Sequence, residues 1–366
     1  MIQETHGNLL DAKADALVNT VNTVGVMGKG IALQFKRAFP ENYKAYKRAC
    51  DRGVVELGQM FIWDAGALAA GGPRYVINFP TKKHWRSKSK LSDIRLGLDD
   101  LVRQLKELSV TSVAVPPLGC GYGGLQWDEV RPLIERAFEQ LPDVDVLLFP
   151  PEGAPAAVDQ PVRTDTPKMT PGRAALVGIM QRYLPFAVEI TAVDIQKVMY
   201  FMQEAGEPLR LNYAKGRYGP YADNLRHVLS SMEGHYIRGT GDGSAKALDS
   251  LPFELLDEAK PAAASLLAEQ PETSARMDQV VRLIEGYEST YGLELLATVH
   301  WASQRDDDGN RRREPLNLGQ AERVVRSWNR RKEQLFTPPH IAKAYDRLRE
   351  QGWLGPSEPA GLFAGA

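Results

Sequence analysis

The stretch 111-TSVAVPPLGCGYGGLQWDEV-130 passes from an apolar, β-branched segment through four glycines in six residues into an amphipathic segment. Each glycine costs about 0.5–1 kcal/mol of backbone entropy relative to alanine. A junction stripped of side chains therefore implies that backbone N–H groups must come close to something. TSVAVPPLG reads as a buried strand, and Trp127, Val130, Leu133, Ile134, Phe138 and Leu141 follow at helical spacing. Strand, glycine turn, helix is the building unit of a parallel sheet, whose ligands bind where strands end and loops enter helices.

The same unit recurs upstream. ADALVNTVN (residues 14–22) reads as a buried strand, followed by a second glycine turn and the helix GIALQFKRAF (residues 30–39). GQMFIWDA and RYVINFPT give two more strands, VDVLLFP a last one, and Leu91, Ile94, Leu98, Leu101, Val102, Leu105 and Leu108 mark one face of a helix. The fold class predicted for this half is α/β, a mixed, largely parallel sheet flanked by helices. Prolines at 150, 151, 155, 161, 167 and 171 exclude a helix or central strand there. The expected organisation is a first domain over 1–155, a proline-rich linker over 156–170 and a mainly α-helical domain over 171–366. In that second part PGRAALVGIMQRYL, TAVDIQKVMYFMQEAG, QAERVVRSWNRRKEQLF and PPHIAKAYDRLREQGWL read as helices. The Gly-Trp-Leu ending of the last resembles the end of a winged-helix recognition helix.

Composition narrows the function classes. No run of about 18 apolar residues occurs, so no membrane partner is expected. The N-terminus lacks the layout of a secretory signal, and a cytoplasmic location is expected. Two cysteines, Cys50 and Cys120, and six scattered histidines give neither a disulfide framework nor metal-ligand spacing. With 45 Lys+Arg against 46 Asp+Glu, global charge does not choose a partner. Local charge does more: KKHWRSKSK (residues 82–90) carries five Lys/Arg and no acid, whereas residues 231–280 hold nine Asp/Glu against four Lys/Arg.

Two glycine loops on one sheet edge suit a diphosphate gripped from both sides by backbone amides. The first contributes Gly28, Lys29 and Gly30, the second Gly119, Cys120, Gly121, Tyr122 and Gly123. Asn19 and Asn22 near the end of the first strand offer amides to sugar hydroxyls. Thr81 and Lys82 close the strand RYVINFPT at the same edge, and a lysine beside a sugar can polarise an oxygen or attack an anomeric carbon. Lys83, His84, Trp85 and Arg86 are candidate DNA contacts, cations for phosphates with an aromatic ring for stacking. Glu4, Asp11 and His84 are possible helpers.

GNLLDAKADALVNTVNTVGVMGKGIALQFK, NFPTKKHWR and PPLGCGYGGLQW together resemble the DarG family of macrodomain antitoxins, and more distantly the eukaryotic terminal ADP-ribose glycohydrolase. DIQKVMYFMQEAGEP and RYGPYADNLRHVLSSMEGHYIRG resemble helical antitoxin domains. The resemblance implies a macrodomain with DNA ADP-ribosyl glycohydrolase activity, removing ADP-ribose from thymidine bases of single-stranded DNA. It also implies that the helical domain neutralises a cognate DarT-like toxin, to which the acidic 231–280 stretch would present a nucleic-acid-like face. Lys82 matches the lysine required for turnover, Asn22 the position facing the distal ribose, and Gly7, Asn8 and Leu9 the adenine-side loop. ADP-ribose enters as ligand and product, and no cofactor or metal is expected. Many macrodomains have aspartate where this chain has Asn8, and the eukaryotic enzyme's catalytic aspartate matches Gly123. The alternatives are an ADP-ribose-binding module, a ligand-sensing regulator or a protein-directed hydrolase.

Overall fold

The computed structural model describes residues 1–66, 72–183, 187, 189–244, 251–306 and 308–355. The chain divides into two units, Met1–Asp165 with Gly241–Ser244, and Thr166–Thr240 with the remainder.

The first unit runs β1 (Ile2–Glu4), β2 (Ala16–Asn22), α1 (Gly30–Ala38), α2 (Pro40–Asp51), β3 (Phe61–Asp64), β4 (Tyr75–Lys82), α3 (Leu91–Glu107), β5 (Ser112–Val115), α4 (Trp127–Phe138) and β6 (Asp145–Leu148). Its sheet has the order β1-β6-β5-β2-β4-β3, parallel throughout except for the edge pair β3–β4. Ala16–Val18 and Val76–Phe79 are buried, as a parallel strand covered on both faces requires. One face packs Phe79, Val113 and Val115 against Ile94, Leu98 and Leu101 of α3 and Val130, Ile134 and Phe138 of α4. The predicted stripes of both helices are therefore the faces that reach the core. The other face packs Leu17 and Val76 against Phe35 and Phe39 of the α1 segment. After β4 the chain crosses over β2 to reach β5, so the carboxyl ends of β4, β2 and β5 open side by side at a switch point.

The proline-rich stretch departs from expectation. It does not leave the first unit at residue 155 but stays packed on it to Asp165. The Asn8 side chain donates to the Asp159 carbonyl (2.8 Å), and the Arg163 N–H donates to the Arg37 carbonyl (2.8 Å). Proline excluded a helix or strand there, but not docking through carbonyls and side chains.

The second unit contains α5 (Pro171–Tyr183), α6 (Ala192–Glu204), β7 (Tyr213–Gly216), β8 (Gly219–Ala222), α7 (Leu225–Met232), β9 (Ile237–Arg238), β10 (Glu254–Leu255), α8 (Ala259–Ala268), α9 (Pro271–Ile284), α10 (Thr290–Gln304), α11 (Leu318–Arg326), α12 (Arg330–Leu335) and α13 (Pro338–Glu350). Thr191 closes a capping box on α6, and Gly206, at φ +95°, follows its end. Every residue of α10 from Gly292 to Gln304 is buried, which marks a central helix. Such a helix has no solvent-exposed face and so no amphipathic period.

Two expectations are corrected. QAERVVRSWNRRKEQLF is not one helix: it breaks between α11 and α12, where Asn329 caps Lys332 N–H and the Trp328 indole donates to the Gly216 carbonyl. The terminal Gly-Trp-Leu is a helix stop rather than a recognition element, with Gly352 at φ +76° and the Trp353 ring buried edge-on against Phe201. The acidic 231–280 stretch is divided, with Glu254, Asp257, Glu258 and Glu269 exposed and other members bonded within the protein. Glu233 is buried accepting N–H groups of Gly239 and Thr240, Asp242 is buried in the first unit, and Glu272 and Asp278 pair with Arg276 and Arg182. Asp249 lies outside the described residues.

Candidate active site

At the carboxyl end of β2 the ladder to β4 bulges between Val21 and Asn22, so that Asn22 stands opposite Lys82. The Asn22 side chain then folds the first glycine loop. Its Oδ1 accepts N–H bonds from Val24 (3.0 Å) and Val26 (3.2 Å), while Nδ2 donates to the Val26 carbonyl (2.6 Å). This is an Asx-type turn, in which a short amide replaces backbone partners. Asn19 does not reach the edge. It is fully buried and donates to Asn78 Oδ1 (3.0 Å), itself bonded to Asn42, and its own Oδ1 has no partner among the described residues. Thr81 is likewise turned inward, its hydroxyl donating to the Val21 carbonyl (3.3 Å).

In the second loop, Gly119–Gly124, the carbonyls of the middle residues accept from protein donors while their own amides donate to no described residue. The carbonyl of Gly121 accepts Gly124 N–H (3.0 Å), that of Tyr122 accepts the Lys82 ammonium (3.3 Å), and that of Gly123 accepts Ser89 N–H (3.0 Å). The N–H groups of Gly121, Tyr122 and Gly123 have no partner among the described residues. Three successive unpartnered donors make an anion-binding concavity. Gly119 (φ +72°) and Gly124 (φ +79°) occupy the left-handed region that the turn requires. Gly123 is fixed by close approach instead. A Cβ there would lie 2.3 Å from the Gly119 carbonyl oxygen and 2.4 Å from Ser89 Oγ, so no side chain, aspartate included, fits. Ser89 is buried, its hydroxyl wedged behind the loop without a partner among the described residues. The spacing of the glycines gave no hint of Ser89.

Lys82 is half-buried beside this loop, and its pKa is lowered first by that burial and then by the ammonium of Lys88. Lys88 itself lies over Gly124. Burial pushes the Cys120 thiol up to about 11, which leaves it protonated at neutral pH. On the first loop, Lys29 extends toward the Tyr122 ring (5.8 Å), while the Gly30 N–H donates to the Asp242 carbonyl (2.9 Å). The segment Gly241–Ser244 is a part of this unit that the sequence could not reveal, lying about two hundred residues away. Arg37 donates to the Gly241 carbonyl (2.5 Å) and the Tyr122 hydroxyl to that of Ser244 (3.4 Å). A Cβ added at Gly28 would meet Val26 Cγ1 at 3.7 Å, an ordinary contact.

The adenine-side candidates are placed differently. The Asn8 Oδ1 accepts Leu10 N–H (3.1 Å) while its Nδ2 holds Asp159, so both ends of the amide are committed. Leu9 is buried. Of the DNA candidates, Lys83, His84, Trp85 and Arg86 are all exposed, with the Arg86 guanidinium 4.4 Å over the Trp85 ring and His84 stacked beside it. The Lys83 carbonyl accepts from Thr23, tying this basic segment to the first loop. Among the described residues no three His, Cys, Asp or Glu side chains converge as a metal site would need. No described helix is long and apolar enough to cross a membrane.

A Macro domain family model matches residues 18–134. Over 360 residues, 95% of this chain and 99% of its relative, the sequence is 46% identical to a DNA ADP-ribosyl glycohydrolase of Mycobacterium tuberculosis. It is 45% identical over 359 residues to one of Thermus aquaticus, covering 98% of this chain and 96% of the relative. A DNA ADP-ribosyl transferase–DNA ADP-ribosyl glycohydrolase fusion protein of Thermosipho africanus is 35% identical over 158 residues, 40% of each chain.

Proposed function

Because the chain belongs to the DarG-type DNA ADP-ribosyl glycohydrolases, we propose that it hydrolyses the bond between ADP-ribose and thymine in single-stranded DNA and also neutralises a DarT-like transferase through its helical unit. The observation that carries the catalytic half is the row of unpartnered amides at Gly121–Gly123 directly beside Lys82. The amides take the pyrophosphate, the α1 N-terminus adds its dipole, and Lys82 meets the distal ribose. Asn22 acts by shaping the first loop. The exposed Lys83–Arg86 segment takes the DNA strand that carries the modified base. The fusion of transferase and glycohydrolase in the Thermosipho relative supports a toxin partner. A cytoplasmic location goes with a DNA substrate and two unpaired cysteines.

Cleavage breaks the bond from the anomeric carbon to thymine N3, whose electron pair leaves with the base through an oxocarbenium-like state. Water supplies the oxygen that ends on the sugar, and its proton ends on the base. Lys82 serves as an amine at the anomeric carbon, either as nucleophile or as acceptor of the water proton. The lowered pKa suits both roles, since more of the side chain is neutral near pH 7 than for an ordinary lysine.

That role fixes the direction of a pH effect. Activity should rise with pH through the lowered pKa of Lys82, because the neutral form is the active one. Lys88 contributes to that lowering, so Lys88→Gln should raise the Lys82 pKa and move the rising limb of kcat/KM to higher pH. A limb that stays in place or moves down would remove Lys88 from this role. The activity itself is tested by incubating the chain with a thymidine-ADP-ribosylated oligonucleotide and identifying the products. Free ADP-ribose and unmodified DNA are expected; tight binding without release would leave an ADP-ribose reader instead.

A further inference from the structure

The helical unit carries a cationic groove that the glycohydrolase chemistry does not use. We propose that it binds the phosphate backbone of single-stranded DNA, as a contact separate from the modified base. The groove, about 640 Å³, lies along the junction of α11 and α12 and is lined by Arg323, Arg326, Arg330, Asn329 and Ser327, together with Glu322 and Glu333. Arg323, Arg326 and Arg330 are exposed, and no carboxylate lies within ion-pair distance of any of them among the described residues.

The turn of the β7–β8 hairpin extends the same positive face. It is held to the junction by Trp328 Nε1–H donating to the Gly216 carbonyl (2.9 Å) and by Asn329 Nδ2–H donating to the Arg217 carbonyl (3.1 Å). This docking fixes the exposed Arg217 at the junction. Three arginines thus share the groove with two carboxylates, Glu322 and Glu333. Below them, Arg331 and Lys332 both bond Glu294, at 2.5 and 2.6 Å, which spends that buried carboxylate internally.

The lining chooses the partner class. Every residue of the groove is polar, and none offers the apolar anchor around which a protein interface is built. Protein–DNA surfaces are more polar and far more positive, and arginine's planar fork matches phosphate oxygens. The groove is also the wrong sign for the positively charged DNA cleft of a toxin that itself binds DNA. The inference rests on the glycohydrolase reading only for the choice of DNA as the polyanion.

The test uses the full chain and an unmodified, fluorescently labelled single-stranded 20-mer, with anisotropy followed between 50 and 200 mM salt. Arg323→Glu/Arg326→Glu/Arg330→Glu should weaken binding at least about tenfold at the lower salt. Three lost phosphate contacts should flatten the slope of log K against log salt by about 2. The milder Arg→Gln triple should fall between this variant and wild type. Both variants should release ADP-ribose from an ADP-ribosylated thymidine nucleoside at the wild-type rate, which shows that they fold. Unchanged affinity and slope in the Glu variant would overturn the proposal, as would loss of toxin neutralisation with DNA binding intact. Failure of the glycohydrolase reading looks different, since wild type would then release no ADP-ribose from any substrate while the anisotropy result stood unaffected.

Discussion

Lys82→Ala should lose about 10²–10⁴-fold in the rate of ADP-ribose release from modified DNA, while its affinity for free ADP-ribose changes by less than about threefold. The two effects separate because different groups carry them. The loop carbonyls already face protein donors, so the Gly121–Gly123 amides keep their orientation even when the Tyr122 carbonyl loses the lysine at 3.3 Å. Only the group at the anomeric carbon is gone. Lys82→Arg distinguishes amine from cation: it retains the charge but cannot become neutral at accessible pH, so it should be nearly as inactive as the alanine variant. Recovery of most of the rate with arginine would mean that charge alone is needed. Both variants should still neutralise the toxin stoichiometrically, because that activity is assigned to the other unit. If Lys82→Ala turned over at near wild-type rates, the proposed chemistry would be wrong.

Gly123→Asp should weaken ADP-ribose binding about 10²-fold rather than add a catalytic carboxylate. The new Cβ would meet the Gly119 carbonyl oxygen at 2.3 Å, and that atom is backbone, so the loop itself must move. The Gly119 carbonyl holds Leu125 N–H at 3.1 Å, and the Gly123 carbonyl holds Ser89 N–H at 3.0 Å. Displacing them turns the three free amides away from one another. Each hydrogen bond to a charged oxygen contributes roughly 1.5–3 kcal/mol, so losing one or two costs about 10²-fold in affinity. Gly123→Ala should be almost as damaging, since the clash begins at Cβ. Gly121→Ala, with no atom within 4 Å of its added Cβ, should be tolerated far better. Isothermal titration with ADP-ribose measures all three. Faster turnover in Gly123→Asp would show that the loop can yield and that a carboxylate is what the site lacks.

The parts of the fold that show a period in the sequence are the parts that the sequence discloses. The stripes Ile94–Leu98–Leu101–Leu105 and Val130–Ile134–Phe138 face the core as their spacing requires. The glycine loops lie at the strand ends because the strand–turn–helix order leaves them nowhere else. α10 stayed hidden because burial on all sides erases periodicity. The break at Asn329 stayed hidden because its cause, the Trp328 bond to Gly216, is tertiary.

At the site, the three asparagines also have structural work that residue type does not show. Asn19 joined a buried asparagine network, Asn8 holds Asp159, and Asn22 folds a turn. Ser89 and Gly241–Ser244 came from packing that no local pattern encodes.

A crystal structure of the chain with ADP-ribose distinguishes a pyrophosphate held on the second glycine loop from one bound elsewhere. The pyrophosphate oxygens are predicted within hydrogen-bond distance of the Gly121, Tyr122 and Gly123 N–H groups, with Lys82 Nζ moved from the Tyr122 carbonyl to the distal ribose. A nucleotide bound away from that loop, or a lysine still on the Tyr122 carbonyl with the sugar out of its reach, would contradict it.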